Sequence, residues 1–298
     1  GLFEQLTPLY AARDLRRTAR DAAHRIADLL REPAQREPAD PVALPARPPG
    51  APPVLTLEGV RFGYPAQRDH EVLHGLDAVL APGTVTALVG PSGAGKSTLG
   101  LLLARFYDVT GGAIRLDGVD LRDVDRAELY RTVGFLFQDV TLLRRSVRDN
   151  IALSDPEAGP EAVHGAARAA AVHDRITALP RGYDSVVGED ALLSGGEAQR
   201  VGIARTLLAD TPIVVLDEAT AFADPESEAA VQDALAELAA GRTLLVVAHR
   251  LRTVVSADQI LVLDDGIITE RGRHDDLLAA DGTYARMWRA QHGGSTTP

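Results

Sequence analysis

The sequence predicts an α/β fold built on a buried parallel sheet. Three observations carry that prediction. Residues 84–89, 213–216 and 243–248 are short apolar, β-branched runs of the kind seen in parallel strands covered on both faces. The first leads directly into a glycine-rich stretch, Gly90 to Ser97, followed by helical spacing over 97–107. The second ends in two acids, Asp217 and Glu218.

The remaining elements are taken in chain order. Residues 2–32 read as one helix, because Leu15, Ala19, Ala22, Ile26 and Leu29 make a single apolar seam and Pro33 ends it. Residues 33–53 hold eight of the chain's 18 prolines, which predicts an extended, semi-rigid linker. Strands over 55–62 and 72–80 are expected to form an antiparallel patch, roughly 54–83. A short strand over 113–116 precedes the turn residues Asp117 and Gly118. Mostly helical segments fill 145–210, so a helical subdomain is expected over about 139–205. Runs at 260–263 and 267–270 flank Asp265-Gly266, a hairpin signal. The folded domain is expected to span 54–292, with a flexible tail at 293–298. No repeat of 20–50 residues is visible.

Composition narrows the function classes. The chain has 298 residues, 45% of them hydrophobic, which is enough for a real core. It has no Cys, which excludes disulfides, Cys-ligated zinc and a thiol nucleophile. Forty-two acids against 31 bases give a net charge of −11, which argues against broad nucleic-acid binding. No run of about 18 apolar residues is present to span a membrane. Residues 1–30 are charged throughout, unlike a secretory leader. The first residue is Gly1 rather than Met, and the chain is expected to be cut from something longer.

Of the 31 basic residues, only Lys96 is a lysine. It lies in Gly90-Pro91-Ser92-Gly93-Ala94-Gly95-Lys96-Ser97, which matches G-x-x-x-x-G-K-[ST] between a predicted strand and a predicted helix. Glycines let backbone N–H groups curl around phosphate oxygens, and the helix N-terminus adds its dipole. Lys96 is expected to reach the β- and γ-phosphates of a nucleotide. The Ser97 hydroxyl is expected to ligate Mg2+, with Thr98 beside it. A phosphate cradle needs a metal-side carboxylate. Asp217, at the carboxyl end of an apolar strand, supplies one and is expected to hold the ion through water. Glu218, one residue on, is placed to polarise an attacking water. Taken alone, the two acids also suit a helix N-cap.

Leu193-Ser194-Gly195-Gly196-Glu197 reads by itself as a cap and turn before an Ala/Leu-rich helix. Set beside the other motifs, it resembles the signature of the ATP-binding cassette (ABC) transporter family, and the chain over about 54–292 resembles that family's nucleotide-binding domain. The resemblance implies a P-loop NTPase fold with a parallel core sheet, an antiparallel β subdomain and an α-helical subdomain. It implies that Tyr64 stacks on adenine and that Gln138 touches Mg2+ and the water. Asp224 matches the D-loop aspartate, and His249 the switch histidine at the γ-phosphate. ATP would be sandwiched between the Lys96 loop of one chain and Ser194, Gly195, Gly196 and Glu197 of a second cassette. Residues 1–32 resemble the cytosolic end of a last transmembrane helix. That implies an exporter-type transmembrane domain upstream of Gly1 and a location at the cytoplasmic face of the plasma membrane; a single cassette of acidic net charge predicts no nucleic-acid partner.

Three features depart from the usual exporter pattern. Glu197 replaces Gln. The spacing from Gly188-Glu189, which resembles the exporter X-loop, to Leu193 is one residue short. The run Ala219 to Glu226 resembles the iron–siderophore subgroup, some of whose members import. The alternatives are drug or lipid export, a soluble ABC ATPase that moves nothing, and a nucleotide-binding protein with a dead site.

Overall fold

The computed structural model describes residues 16–17, 19–27, 35, 37–48, 51–65, 70–137, 140–217, 225–248 and 250–292. The chain divides into two units, Gly1–Arg36 and Glu37–Pro298. In the first, the described residues of 16–27 are helical. No helix among the described residues is long and apolar enough to cross a membrane.

The second unit is built on two sheets. Strands β1 (Leu55–Phe62), β2 (Leu73–Leu80), β4 (Gly111–Leu116) and β5 (Val119–Asp120) form an antiparallel sheet in the order β2-β1-β4-β5. Strands β3 (Val85–Val89), β6 (Val133–Leu136), β7 (Ile213–Asp217), β8 (Thr243–Val247), β9 (Gln259–Asp264) and β10 (Ile267–Gly272) form the core sheet in the order β10-β9-β3-β8-β7-β6. All neighbours in it are parallel except β10, which returns antiparallel to β9 through Asp265-Gly266. The hairpin expected at that dipeptide is therefore present.

Both faces of the core sheet are covered. Helix α1 (Lys96–Leu103) lies between the sheets, where Leu99, Leu102 and Leu103 join Leu57, Phe62, Leu116, Leu245 and Leu263 in one cluster. On the other face, Val214, Leu216 and Leu244 pack with Val147, Ile151, Val201 and Ile203 of the helical region. That region contains α3 (Val147–Ile151), α4 (Pro160–Ala169), α5 (His173–Thr177) and α6 (Gly195–Ala209). Helix α2 (Arg126–Thr132) precedes β6, and α7 (Pro225–Ala239) connects β7 to β8. A third cluster sets Ala87, Val89 and Val262 against Leu277 of α8 (His274–Ala279) and Tyr284 of α9 (Thr283–His292). Neighbouring residues of β3 serve opposite clusters, as the pleat requires. This is why its apolar run is continuous rather than alternating.

The structure departs from the sequence expectations in three places. Helix α1 stops at Leu103, four residues before the predicted end. Arg105 takes a left-handed φ of 51°, Phe106 N donates to Leu101 O at 2.9 Å, and Arg105 N donates to Leu102 O at 3.0 Å. That is a Schellman closure, made without the glycine that usually announces it. Second, the antiparallel sheet runs on to Asp120 instead of ending near residue 83. Third, β6 has no counterpart in the sequence reading. It is four residues long and contains Gly134, which weakens its periodicity; a Cβ there would lie 2.4 Å from Thr211 Oγ1.

The proline-rich stretch is docked where it is described. Val42 N donates to Asp123 O at 2.8 Å, and Arg47 Nη1 reaches Asp117 Oδ2 at 2.5 Å. Asp117 Oδ1 accepts from Val54 N at 2.8 Å, so one carboxylate ties down both ends of the segment that enters β1.

Candidate functional site

The glycine-rich loop is shaped by close approaches that only glycine permits. At Gly90 φ is 155°, and a Cβ would fall 1.9 Å from Leu263 O. Gly95 caps α1 with φ 100°, and a Cβ there would meet Leu73 Cδ2 at 2.6 Å. No side chain caps the helix. Its first-turn amides therefore suit an anion, as helix N-termini generally do.

Lys96 opens the helix and is only 4% exposed. Its Nζ donates to Gly90 O at 2.9 Å and Pro91 O at 2.8 Å, so the ammonium lies across the loop it follows. Ser92, Gly93 and Ser97 are exposed, while Ala94, Gly95 and Thr98 are buried. The open side of the loop thus carries the Ser92 and Ser97 hydroxyls, and the closed side packs on the core. Backbone N–H groups, one ammonium and two exposed hydroxyls form a donor set that fits a nucleotide phosphate with its Mg2+.

Tyr64 is half-buried. Its ring makes edge contacts with Phe62 at 4.9 Å and Tyr107 at 5.4 Å, and its Oη lies 3.0 Å from Thr98 Oγ1. Two residues expected in the site are therefore bonded to each other, and Tyr64 is anchored to α1.

Sheet register brings the acid to the same edge. Leu88 of β3 is opposite Val247 of β8, and Val247 is opposite Asp217 of β7. With neighbouring strands about 4.8 Å apart, Asp217 lies about 10 Å across the sheet from the strand that feeds the loop. Asp217 is half-buried at the carboxyl edge, where open α/β sheets bind ligands. Strand β6 ends at Leu136, opposite Leu216. Gln138, Glu218 and His249 follow the ends of β6, β7 and β8 by one or two residues. These three and Asp224 lie outside the described residues.

The Ser194 region is a separate surface feature. Ser194 and Gly195 are exposed and Gly196 is buried, at the start of the 15-residue α6. Ser194 N donates to Glu197 Oε2 at 2.9 Å, and Glu197 N to Ser194 Oγ at 3.3 Å, which closes a capping box. Arg175 Nε donates to Glu197 Oε1 at 2.8 Å and its Nη2 to Leu192 O at 3.0 Å. Arg175 was not legible from the sequence, since nothing at a distance of 22 residues signals this pairing.

The turn before it is held by charge. Gly188 has φ 80°, and Glu189 pairs with Arg144 at 2.8 Å. Asp190 pairs with Arg181 at 2.5 Å and also accepts from Val186 N at 2.6 Å. The Arg181 hydrogen bond is the main cause holding the Asp190 carboxyl down at about 2.

Comparison with known proteins places the chain in a family. A family model described as ABC transporter matches residues 73–221. The mycobactin import ATP-binding/permease protein IrtA of Mycolicibacterium thermoresistibile is 59% identical over 237 residues, covering 80% of this chain and 26% of the relative. Its namesake in Mycobacterium tuberculosis is 50% identical over 293 residues, covering 98% and 32%. Human ATP-binding cassette sub-family B member 6 is 50% identical over 244 residues, covering 82% and 29%. A solved structure of a bacterial Atm1-family ABC exporter with ATP bound superposes with a TM-score of 0.82 at 42% identity, covering 95% of this chain and 48% of that one. The chain therefore spans about a quarter to a third of the curated relatives it matches.

Proposed function

The chain belongs to the ABC transporter family, and we propose that it is the part that binds and hydrolyses ATP to drive transport. One observation carries the reading: a buried lysine ammonium, the only lysine in the chain, held across a glycine loop at an uncapped helix N-terminus. It stands alone among 30 arginines, at the one point where a cation must fit a nearly closed loop beside an uncapped helix N-terminus. A compact ammonium suits a phosphate cleft that a guanidinium fork would crowd.

In this reading the amides of Gly93, Ala94, Gly95, Lys96 and Ser97 hold the β-phosphate, and Lys96 bridges to the γ-phosphate. Ser97, Asp217 and Gln138 hold Mg2+, which neutralises developing phosphate charge when bound. Glu218 accepts the proton of the attacking water, and His249 steadies the γ-phosphate. Tyr64 stacks on the base. Ser194, Gly195, Gly196 and Glu197 present the start of α6 to the nucleotide on a second cassette, with Asp224 at the same junction. A single chain then holds half of each site.

The relatives named for mycobactin import favour an iron–siderophore as cargo, carried by a transmembrane domain joined to this chain at the cytoplasmic face of the membrane. The test is the solution mass of Glu218→Gln with and without MgATP. A nucleotide-dependent shift from monomer to dimer supports the sandwich. A monomer that binds ATP but never pairs assigns the second half-site to a different cassette or to the membrane-held pair. Failure to bind ATP overturns the reading. ATPase activity should rise more than linearly with protein concentration; strict proportionality counts against pairing.

A further inference from the structure

Two imidazoles outside the nucleotide site are brought together by a helix ending. Helix α4 closes on Ala171, whose φ is 51°. Val172 N donates to Ala167 O and Ala171 N to Arg168 O, both at 2.9 Å, again a Schellman closure. Val163, Ala166, Ala167, Ala170, Val172 and Ile176 are buried around it, so the turn is fixed by packing. It sends the chain directly into α5, whose first residue is His173. The His164 ring on α4 and the His173 ring have centroids 5.7 Å apart, and both residues are half-buried.

Tyr183 completes a triangle. Its ring is 4.3 Å from His164 and 5.9 Å from His173, and its Oη lies 2.8 Å from His173 Nδ1. When His173 Nδ1–H donates to that oxygen, Nε2 is left carrying the lone pair. A metal-binding histidine is oriented in this way by its outer partner.

We infer that His164 and His173 form a two-imidazole site for a divalent transition-metal ion, with water completing the coordination. An ion about 2.1 Å from each nitrogen sits about 3.2 Å from each ring centre, which puts the two centres about 5.2 Å apart at a tetrahedral angle. The observed 5.7 Å is reached by a small opening of that angle. Imidazole donors select copper, nickel or zinc over magnesium or calcium, which need oxygen ligands. The described residues hold no group of three or more His, Asp or Glu able to take a metal, so the protein supplies two ligands and binding is weak. Arg168, one turn after His164 on α4, adds a positive charge that opposes a cation. An ion here pins α4 to α5.

The test uses the whole 298-residue chain and Cu2+ as probe. Expected are one equivalent bound, nitrogen hyperfine structure in the electron paramagnetic resonance spectrum, and selective broadening of the His164 and His173 ring resonances at sub-stoichiometric copper. His164→Gln and His173→Gln should each weaken binding at least tenfold, while His292→Gln leaves it unchanged. Tyr183→Phe should weaken it by a smaller factor, because the His173 ring loses its partner. Broadening of other histidines, a spectrum with oxygen donors only, or binding that survives both His→Gln changes would overturn the site. The ring resonances are read in the unsubstituted chain, so they decide for or against the site even if a variant misfolds.

Discussion

Ser194 and Glu197 cap each other. The Ser194 amide donates to the Glu197 carboxylate at 2.9 Å and the Glu197 amide to the Ser194 hydroxyl at 3.3 Å, while Arg175 holds the second carboxylate oxygen at 2.8 Å. This accounts physically for a glutamate where the family usually has glutamine. Either side chain can accept from the Ser194 amide, but only the carboxylate also pairs with Arg175.

Glu197→Ala should destabilise the fold by about 1 kcal/mol, because it removes the acceptor of the Ser194 amide and the Arg175 pair while the Ser194 hydroxyl still caps the helix. Glu197→Gln should cost less than half of that, since it keeps the cap and loses only a half-exposed ion pair. Urea denaturation of both variants checks this. Equal midpoints for the two would show that the cap contributes nothing.

Lys96→Arg should fail to restore nucleotide binding lost in Lys96→Ala. The ammonium sits in a nearly closed space with two carbonyls at 2.8 and 2.9 Å, which a planar guanidinium cannot share. Calorimetric titration with MgATP should show affinity reduced at least tenfold in both. Parental affinity in the arginine variant would place the phosphate elsewhere.

Gly90→Ala should prevent normal folding of the loop. The added carbon would overlap Leu263 O of the neighbouring strand, and backbone cannot swing aside as a side chain can. A melting temperature within a few degrees of the parent would contradict the packing described. By contrast Gly93→Ala meets open space and is opposed only by its φ of 84°, so it should fold.

Arg181→Ala should return the Asp190 carboxyl from about 2 toward its ordinary value near 3.8. The sign follows from the lowered folded-state pKa. The pairing stabilises the native state above about pH 4, and that contribution is lost as pH falls toward 2. A carboxyl NMR titration of parent and variant reads the shift directly. Identical curves would remove Arg181 as its cause.

Arg47→Ala should loosen the docked proline-rich segment without unfolding the core. Asp117 holds that segment through Arg47 and holds Val54 N independently. Limited chymotrypsin digestion should cut near Leu44 several-fold faster, with the melting temperature nearly unchanged. An unchanged cleavage rate would mean that the prolines and the Val42–Asp123 bond suffice.

Much of the fold was legible because its signals are local. Strand β1 matches the expected 55–62, and β3 and β7 fall within a residue of their apolar runs. The loop from Gly90 to Ser97 was readable because positive-φ positions demand glycine in the sequence itself. Strand β6 was not readable. Its residues acquire strand character from β7 alongside them, and Val133-Gly134-Phe135-Leu136 has no alternation of its own. The early end of α1 was hidden for a related reason. Arg105 tolerates φ 51° because its side chain is buried and bonded to Asp108 and Val124 O.

The sequence alone determined the elements, the glycine-rich loop, its single lysine and the order of the motifs, since each is written in spacing and residue type over ten or so positions. Tertiary structure decided what those positions face. It placed Asp217 two strands across from the loop, tied Tyr64 to Thr98, set Arg175 on Glu197, and brought His164 and His173 together around Tyr183. These relations join residues separated by many positions. They are fixed by sheet register, by where helices stop and by which faces are buried, and no short-range pattern encodes those.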